Sequence, residues 1–216
     1  MSNGILPDTI KAVLFDHDDT LIGTIASRWA QHKYIARTFY HKELSDAEII
    51  KHWGKPFPEL ICELYDTDNV QEALAHNQAS RDNYSEPLFE GVIPMLQKLK
   101  DTGRLTGIVT AASRSDFEQD LDRLHIPRDL IDYTQTADDT SYHKPDPRVF
   151  TPVLSWLKAR DISPSEAMYI GDGLHDMKAA LGAGFNFIGV ETGLVTAKEF
   201  QDAGAVSMAS VGKLFG

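Results

Sequence analysis

The 216-residue sequence predicts an α/β fold, a parallel sheet with crossover helices, interrupted by a helical insertion. Beyond about residue 88, short apolar segments alternate with amphipathic helical patterns, which is typical of a parallel sheet. Between residues 24 and 86 no segment has the pattern of a strand. We therefore expect a core of residues 1–23 and 87–216, with residues 24–86 inserted after the first strand as a separate helical unit.

Five apolar segments are predicted to be strands that are buried on both faces of the sheet. They are residues 12–15, 105–110, 131–134, 168–170 and 186–190.

The helices are predicted from capping residues and apolar spacing. Ser115 with Glu118, and Ser45 with Glu48, each fit a capping box. Asp146 is expected to cap a helix that begins at the following proline. In the inserted segment, five apolar residues have the spacing of a buried helix face: Phe57, Leu60, Ile61, Leu64 and Tyr65.

The composition narrows the classes of function. The formal net charge of −11 argues against non-specific binding to nucleic acid or to an anionic membrane, which requires many Lys and Arg residues. Cys62 is the only cysteine, so no intramolecular disulfide can form. Because no run of about 18 apolar residues and no leader pattern occurs, we expect a soluble, cytoplasmic protein.

Two acidic segments follow predicted strands, residues 16–20 after the first and residues 171–176 after the fourth. Ligands bind at the carboxyl ends of parallel strands. Of Asp16 and Asp18, one carboxylate could attack phosphorus while the other protonates the leaving group and then activates water. Taken alone, the first segment is more typical of a solvated acidic turn.

The second acidic segment offers a metal ligand. Mg²⁺ prefers hard oxygen ligands and is usually held by one or two carboxylates with water and substrate phosphate, which makes Asp172 the first candidate. Asp176, one helical turn later, could align the site, although an Asp at a helix N-terminus is often only a partner of the helix dipole.

Two further segments could bind phosphate. Thr110 ends a predicted strand and Ala111 begins a turn of small residues, so that a hydroxyl and backbone N–H groups are available there. Lys144 lies in a proline-containing loop, where a fixed ammonium would offset the carboxylates and the phosphate. By themselves these are weak signals, because Thr is a common cap and an isolated Lys is usually a solvated surface charge.

Together the four segments resemble the haloacid dehalogenase-like superfamily, within it the phosphoglycolate phosphatase and beta-phosphoglucomutase-like group. The matching motifs are Asp-x-Asp-x-Thr, a strand-ending Thr, a Lys-Pro loop and Gly-Asp-x-x-x-Asp, in that order. The resemblance implies a Rossmann-like core and identifies residues 24–86 as a small helical cap domain.

The resemblance also implies an activity, that of a magnesium-dependent phosphatase that hydrolyses a small phosphorylated metabolite through an aspartyl-phosphate. Asp16 would be the nucleophile and Asp18 the general acid and base. Magnesium would be held by Asp16, Asp172 and the backbone carbonyl of Asp18, with Asp176 in support. Thr110 and Lys144 would hold the phosphate.

Two positions in the first motif complete the comparison. Thr20 would pack the loop and help to orient Asp18. Asp19 stands where many relatives have glycine, which puts the flexibility and the charge of the loop in doubt. The acid at position 18 favours phosphate chemistry over carbon–halogen chemistry, because the dehalogenating branch lacks it.

Substrate choice is expected to depend on the cap. Arg28 and His32 lie four residues apart on its first helix and are candidates for substrate contacts, although an exposed helical surface explains them equally well. Arg114 is a third candidate, because its planar guanidinium suits a carboxylate or a phosphate.

Two other functions stay open. A beta-phosphoglucomutase-like phosphotransferase would form the same aspartyl-phosphate but pass the phosphoryl group to a sugar hydroxyl. A catalytically silent phosphate-binding relative is disfavoured, because binding alone would not need Asp18. Both a monomer and a homodimer are compatible with the sequence.

Overall fold

The computed structural model describes residues 6–53, 55–84 and 86–216, which form two compact units. One unit comprises the chain up to Gly23 together with Pro87–Gly216, and the other is Thr24–Glu86. In the part of the chain that the structure describes, no helix combines the length and the apolarity that a bilayer crossing requires.

The first unit is built on a six-stranded sheet in which every pair of neighbouring strands is parallel. The strands are β1 Ala12–Phe15, β2 Leu105–Val109, β3 Tyr133–Gln135, β4 Ala167–Gly171, β5 Asn186–Val190 and β6 Val206–Met208. Their order across the sheet is β3-β2-β1-β4-β5-β6. The predicted α/β class is therefore confirmed.

The helices divide between the two units. The helical unit contains α1 Ile25–Tyr40, α2 Asp46–His52, α3 Phe57–Tyr65 and α4 Val70–Ser80. The sheet unit contains α5 Val92–Asp101, α6 Arg114–Arg123, α7 Thr151–Lys158, α8 Leu174–Gly182 and α9 Ala197–Asp202.

Strand β1 lies at the centre of the sheet and is buried on both faces. Successive side chains of a strand point to opposite faces. Accordingly, Val13 and Phe15 pack in one apolar cluster, whereas Ala12 and Leu14 pack in a second. All four side chains are fully buried, so the backbone that ends at Phe15 is held firmly where Asp16 begins.

Two of the predicted elements need correction, and one strand of the sheet lies outside the prediction. The predicted strand 131–134 is shifted, because Ile131 ends a 3₁₀ turn and pairing with β2 begins only at Tyr133. Strand β6 was not predicted at all. The predicted capping box of Ser115 and Glu118 is wrong, since α6 already begins at Arg114, after Ser113. The Ser113 side chain accepts the Asp116 backbone N–H at 3.2 Å.

Other expectations about helix ends are confirmed. Ser45 and Glu48 form a capping box at the start of α2. The Asp146 side chain accepts the backbone N–H of Arg148 at 2.9 Å and opens a 3₁₀ helix, Pro147–Phe150, that leads into α7. In α3 the predicted apolar face is buried except at its first residue, Phe57, which is 39% exposed.

Candidate active site

The chain turns sharply after β1. The backbone N–H of Asp16 donates to the carbonyl of Ile170 at 2.8 Å, which continues the pairing of β1 with β4. The carbonyl of His17 then accepts the N–H groups of Leu21 at 2.9 Å and of Ile22 at 3.2 Å. Asp19 adopts the left-handed conformation, with φ 52°. Aspartate tolerates this conformation better than most residues, so glycine is not required here.

Three carboxylates converge at the carboxyl ends of β1 and β4. Asp16, Asp172 and Asp176 each place one carboxylate oxygen within 4.8 Å of the others. Asp16 follows β1 directly, Asp172 follows β4, and Asp176 lies in the first turn of α8. Asp176 is fully buried and Asp16 is 7% exposed. Asp172 is half-buried, so two of the three neighbouring carboxylates lie where there is little water.

Lys144 contacts two of the three carboxylates. Its Nζ lies 2.6 Å from Oδ1 of Asp16 and 2.8 Å from Oδ1 of Asp176, and it sits 5.1 Å from the centre of the Tyr169 ring. The contact with Asp176 lacks hydrogen-bond geometry, so this Oδ1 is without a hydrogen-bond donor among the described residues. Oδ2 of Asp176 accepts the N–H of Gly173 at 3.0 Å.

The electrostatics of this cluster are unbalanced. Burial, with the charges of Asp176 and Asp18, raises the pKa of Asp16 to about 6 even though Lys144 opposes the shift. Burial, together with Asp16 and Asp176, also holds the pKa of Asp172 well above its ordinary value. For Lys144, burial would lower the pKa, but the two carboxylates that it contacts outweigh this and raise it. One ammonium therefore faces three carboxylates.

The residues present fit a divalent cation. Carboxylate oxygens are the hard ligands that Mg²⁺ prefers, and a buried excess of negative charge is costly unless it is neutralised. Of the predicted ligands, Asp16 and Asp172 lie in the cluster, and Asp176, predicted as a supporting residue, belongs to it as well. The side chain of Asp18 is only half-buried and its carboxylate is not part of the cluster.

The predicted phosphate-binding turn lies at the end of β2, the strand beside β1. Thr110 is buried, and its Oγ1 accepts the N–H of Ala112 at 3.0 Å. Because the hydroxyl accepts from this N–H, its own hydrogen stays available to donate to a ligand. Ala111 is exposed. Thr20 is fully buried, and its hydroxyl has no hydrogen-bond partner among the described residues.

The guanidinium of Arg114 is already engaged by acidic neighbours. It forms an ion pair with Asp139, and one of its nitrogens lies 4.0 Å from the carboxylate of Glu118. The Arg114 backbone N–H donates to Asp138 at 2.9 Å. An anionic substrate would have to displace these carboxylates.

The two candidates of the helical unit differ from each other. Arg28 forms an ion pair with Glu86 and is about a quarter exposed, at 26%. His32 is 1% exposed, and its Nδ1 lies 2.8 Å from the hydroxyl of Tyr65. Burial and the nearby Arg28 lower the pKa of His32 to about 4, so the ring is neutral at pH 7. The expectation that His32 lies on an accessible face is therefore wrong, because Tyr65 and its neighbours enclose it.

Two contacts to the 16–20 loop were not predicted. His17 is fully buried, its Nε2 lies 3.3 Å from Oδ2 of Asp120, and Asp120 in turn pairs with Arg123 at 2.8 Å. Thr192 donates its hydroxyl to the carbonyl of Asp19 at 2.5 Å. These partners are separated by 103 and 173 positions in the chain, so spacing in the sequence carries no signal for them.

Comparison with known proteins places the site in a family. The haloacid dehalogenase-like hydrolase family matches residues 13–190. A protein of Clostridium perfringens, provisionally named as the pyrophosphatase PpaX, is 33% identical over 185 residues, which cover 84% of both chains. Pyrophosphatase PpaX of Bacillus anthracis is 29% identical over 178 residues, covering 81% of this chain and 80% of its own.

A solved structure agrees with these relatives. The crystal structure of a protein from Bacteroides fragilis, provisionally named as a haloacid dehalogenase-like hydrolase, superimposes with a TM-score of 0.79 and 29% identity. The match covers 95% of this chain and 99% of the other. With the family match spanning most of the chain, this protein belongs to the haloacid dehalogenase-like hydrolases.

Proposed function

We propose that this chain is a magnesium-dependent phosphatase, which hydrolyses a small phosphorylated metabolite through an aspartyl-phosphate on Asp16. The observation that carries the proposal is the largely buried cluster of Asp16, Asp172 and Asp176, with Lys144 against its two buried members. A structural role does not explain this arrangement, because buried like charges destabilise the folded state.

The positions of these residues suggest a separate catalytic role for each of them. Lys144 occupies Oδ1 of Asp16 at 2.6 Å, which leaves Oδ2 as the oxygen that attacks phosphorus. A bond forms between Asp16 and phosphorus while the bond from phosphorus to the leaving oxygen breaks, and Asp18 gives that oxygen a proton. Asp18 then takes a proton from water, which attacks phosphorus and releases Asp16.

Other groups would bind the phosphate oxygens. The Thr110 hydroxyl and Lys144 would hold them, as donors fixed in place before reaction. Asp16, Asp172 and the carbonyl of Asp18 would bind magnesium, which when bound supplies positive charge for the phosphate oxygens, and Asp176 would support these ligands.

The substrate is proposed at the level of its chemical class. The motifs are compatible with a phosphate monoester such as phosphoglycolate. The names of the PpaX relatives indicate a second candidate substrate class, a pyrophosphate, which is a phosphoanhydride. Both present a terminal phosphoryl group and a leaving oxygen. The relatives' names favour hydrolysis over transfer to a sugar.

We further propose that the helical unit, Thr24–Glu86, acts as the cap that selects the leaving group. Arg28 is the candidate to contact an anionic leaving group. His32 would act indirectly, by holding α1 against α3 through Tyr65. Both a monomer and a homodimer are compatible with this proposal.

A trapping experiment tests the mechanism. With magnesium and an aryl phosphate, whose leaving group needs no proton, Asp18→Asn should become phosphorylated and then stall, because it lacks the base for hydrolysis. Loss of such a base typically costs about 10²- to 10⁴-fold. Asp16→Asn should form no adduct. Intact-mass measurement after rapid quench distinguishes the two variants.

The controls are wild type with and without EDTA, followed by restored magnesium. Activity that survives exhaustive chelation would refute the metal requirement. Adducts on neither variant, with active wild type, would indicate direct attack by water, and transfer to a sugar without phosphate release would indicate a mutase.

A further inference from the structure

We propose that Thr192 and Gly193, in the loop after β5, are positioning residues that hold Asp172 and the 16–20 loop in the arrangement that binds the cation. This inference rests on the proposed function. It concerns two residues outside the four motifs, and it follows from contacts within the sheet unit.

The sheet order brings this loop to the site. Strand β5 pairs with β4, and β4 pairs with β1, so the loop after β5 begins beside the two acidic loops. Its start is anchored, because the N–H of Glu191 donates to the carbonyl of Met208 at 3.0 Å. Its far end is anchored by Thr196, which caps α9. Only residues 192–195 lie between these two contacts.

A side chain at position 193 would clash with its surroundings, whereas the backbone conformation of Gly193 does not itself require glycine. Its φ is not in the left-handed region, so another residue could adopt the same backbone. A Cβ at this position, however, would lie 2.0 Å from Oδ2, 2.7 Å from Cγ and 2.8 Å from Cβ of Asp172. Rotating the carboxylate cannot relieve contacts that include the Asp172 Cβ, so the whole side chain would have to shift.

Thr192 acts on the other acidic loop. Its hydroxyl donates to the carbonyl of Asp19 at 2.5 Å. Asp19 is in the left-handed conformation, and this hydrogen bond fixes the direction of the peptide that follows it. Because Asp18 directly precedes Asp19, the same bond restrains the backbone next to the carbonyl of Asp18.

The two consecutive residues therefore connect the ligands of β1 with the ligand of β4. Groups that orient metal ligands without touching the metal typically change metal affinity or activity about 10- to 100-fold when they are removed. We expect an effect of this size from Gly193→Ala on the dissociation constant for Mg²⁺, and a smaller loss of affinity from Thr192→Val, accompanied by a fall in kcat.

The experiment measures Mg²⁺ binding directly, by titration calorimetry of the metal-free protein with magnesium chloride, and turnover separately. The variants are Gly193→Ala, Thr192→Val and Thr192→Ser. The serine keeps the hydroxyl and should restore wild-type affinity and kcat. The matched control is Ser45→Ala, which removes the cap of α2 and should lower the melting temperature without changing Mg²⁺ affinity.

The outcomes separate this inference from the proposed function. If wild type binds no Mg²⁺, the proposed cofactor and this inference are both refuted. If wild type binds it and Gly193→Ala and Thr192→Val match wild type in affinity and turnover, only this inference is overturned. Should Gly193→Ala fail to fold, the Thr192 pair decides, because equal behaviour of valine and serine would equally overturn it.

Discussion

A buried network of the helical unit and the acidic cluster of the sheet unit differ in how well their polar groups are matched. In the helical unit, Gln31 donates to the carbonyl of Asn77 at 2.8 Å and to the hydroxyl of Ser80 at 3.0 Å. The Tyr65 hydroxyl lies 2.8 Å from Nδ1 of His32 and donates to Oδ1 of Asn77 at 3.2 Å. These partners are matched and neutral. In the sheet unit, by contrast, two buried carboxylates and the half-buried Asp172 lie together, and a single ammonium, that of Lys144, contacts the two buried ones.

The difference separates groups that stabilise the fold from groups retained for chemistry. A satisfied buried network gains stability and rigidity. An unbalanced cluster costs stability, and such clusters with shifted pKa values are concentrated at functional sites. Substitutions in the helical unit should therefore mainly lower stability, whereas substitutions in the cluster should affect activity and change how stability depends on pH and magnesium.

The largest effect is expected from Lys144→Ala, which leaves the buried carboxylates of Asp16 and Asp176 without their ammonium. Removing one partner of a buried ion pair typically costs about 3–5 kcal/mol. Turnover should fall about 10²-fold or more, because a fixed charge beside the phosphate is lost. Urea unfolding in EDTA measures the stability, and added magnesium should restore part of it.

Lys11→Ala is the matched control for Lys144→Ala. The Lys11 Nζ lies 2.6 Å from the Glu166 carboxylate, but Lys11 is 55% exposed, and exposed pairs typically contribute about 0–1 kcal/mol. Equal urea midpoints for the two variants would contradict a buried cluster held by Lys144.

The second prediction concerns pH. The pKa of Asp16 is raised from 3.8 to about 6, chiefly by burial. Between these values the unfolded chain is ionised at this position while the folded protein holds the proton, so stability falls as the pH rises. Without metal, the titration of Asp16 should lower the free energy of unfolding by on the order of 3 kcal/mol as the pH rises from about 4 to about 6.

The comparison variant for the pH experiment is Asp16→Asn, which cannot titrate. The difference in unfolding free energy between wild type and this variant isolates Asp16 from the other carboxylates. It should change with pH in EDTA and change less in magnesium. A difference that is flat across the same range would rule out the raised pKa.

The smallest effect is expected in the helical unit. Tyr65→Phe removes a hydroxyl that serves both His32 and Asn77, and leaving buried groups unsatisfied typically costs about 1–3 kcal/mol. Tyr34→Phe, on an exposed ring, should change stability by no more than about 0.5 kcal/mol. Turnover of a small aryl phosphate should be the same in both variants.

The rate of amide hydrogen exchange in α1 and α3 gives the most direct comparison of the local stability of Tyr65→Phe and Tyr34→Phe. Faster exchange in Tyr65→Phe but not in Tyr34→Phe is the expected pattern. If Tyr65→Phe were as stable as Tyr34→Phe, the helical network would not be the stabilising counterpart of the acidic cluster.

Much of the sheet could be predicted because buried central strands need continuous apolar residues. Strands at the edges of the sheet were harder to predict. Strand β6 consists of Val206, Ser207 and Met208, and Val206 is 64% exposed, so the segment has no recognisable apolar run. At α6, Ser113 with Asp116 and Ser115 with Glu118 have the same spacing, and the first pair caps the helix because Ser113 has extended backbone, with φ −65° and ψ 158°.

At the site, the positions of Asp16 and Asp172 follow from the ends of their strands, which the apolar runs define. The residues that contact these loops cannot be predicted from the apolar runs. Thr192 reaches Asp19 only because β5 is separated from β1 by a single strand, and this order is a property of the whole sheet. Likewise, helical spacing shows that Arg28 and His32 share a face but not that Tyr65 covers His32.

The sheet order also determines when the site can exist during biosynthesis. Strand β1 leaves the ribosome first, yet its neighbours β2 and β4 are made only after the whole of Thr24–Glu86. Long-range pairing of this kind is slow and exposes strand edges until the partner arrives. A nascent chain that ends before Ala167 lacks β4 and two of the three carboxylates. The acidic cluster can therefore form only after β4 and the start of α8 have been made.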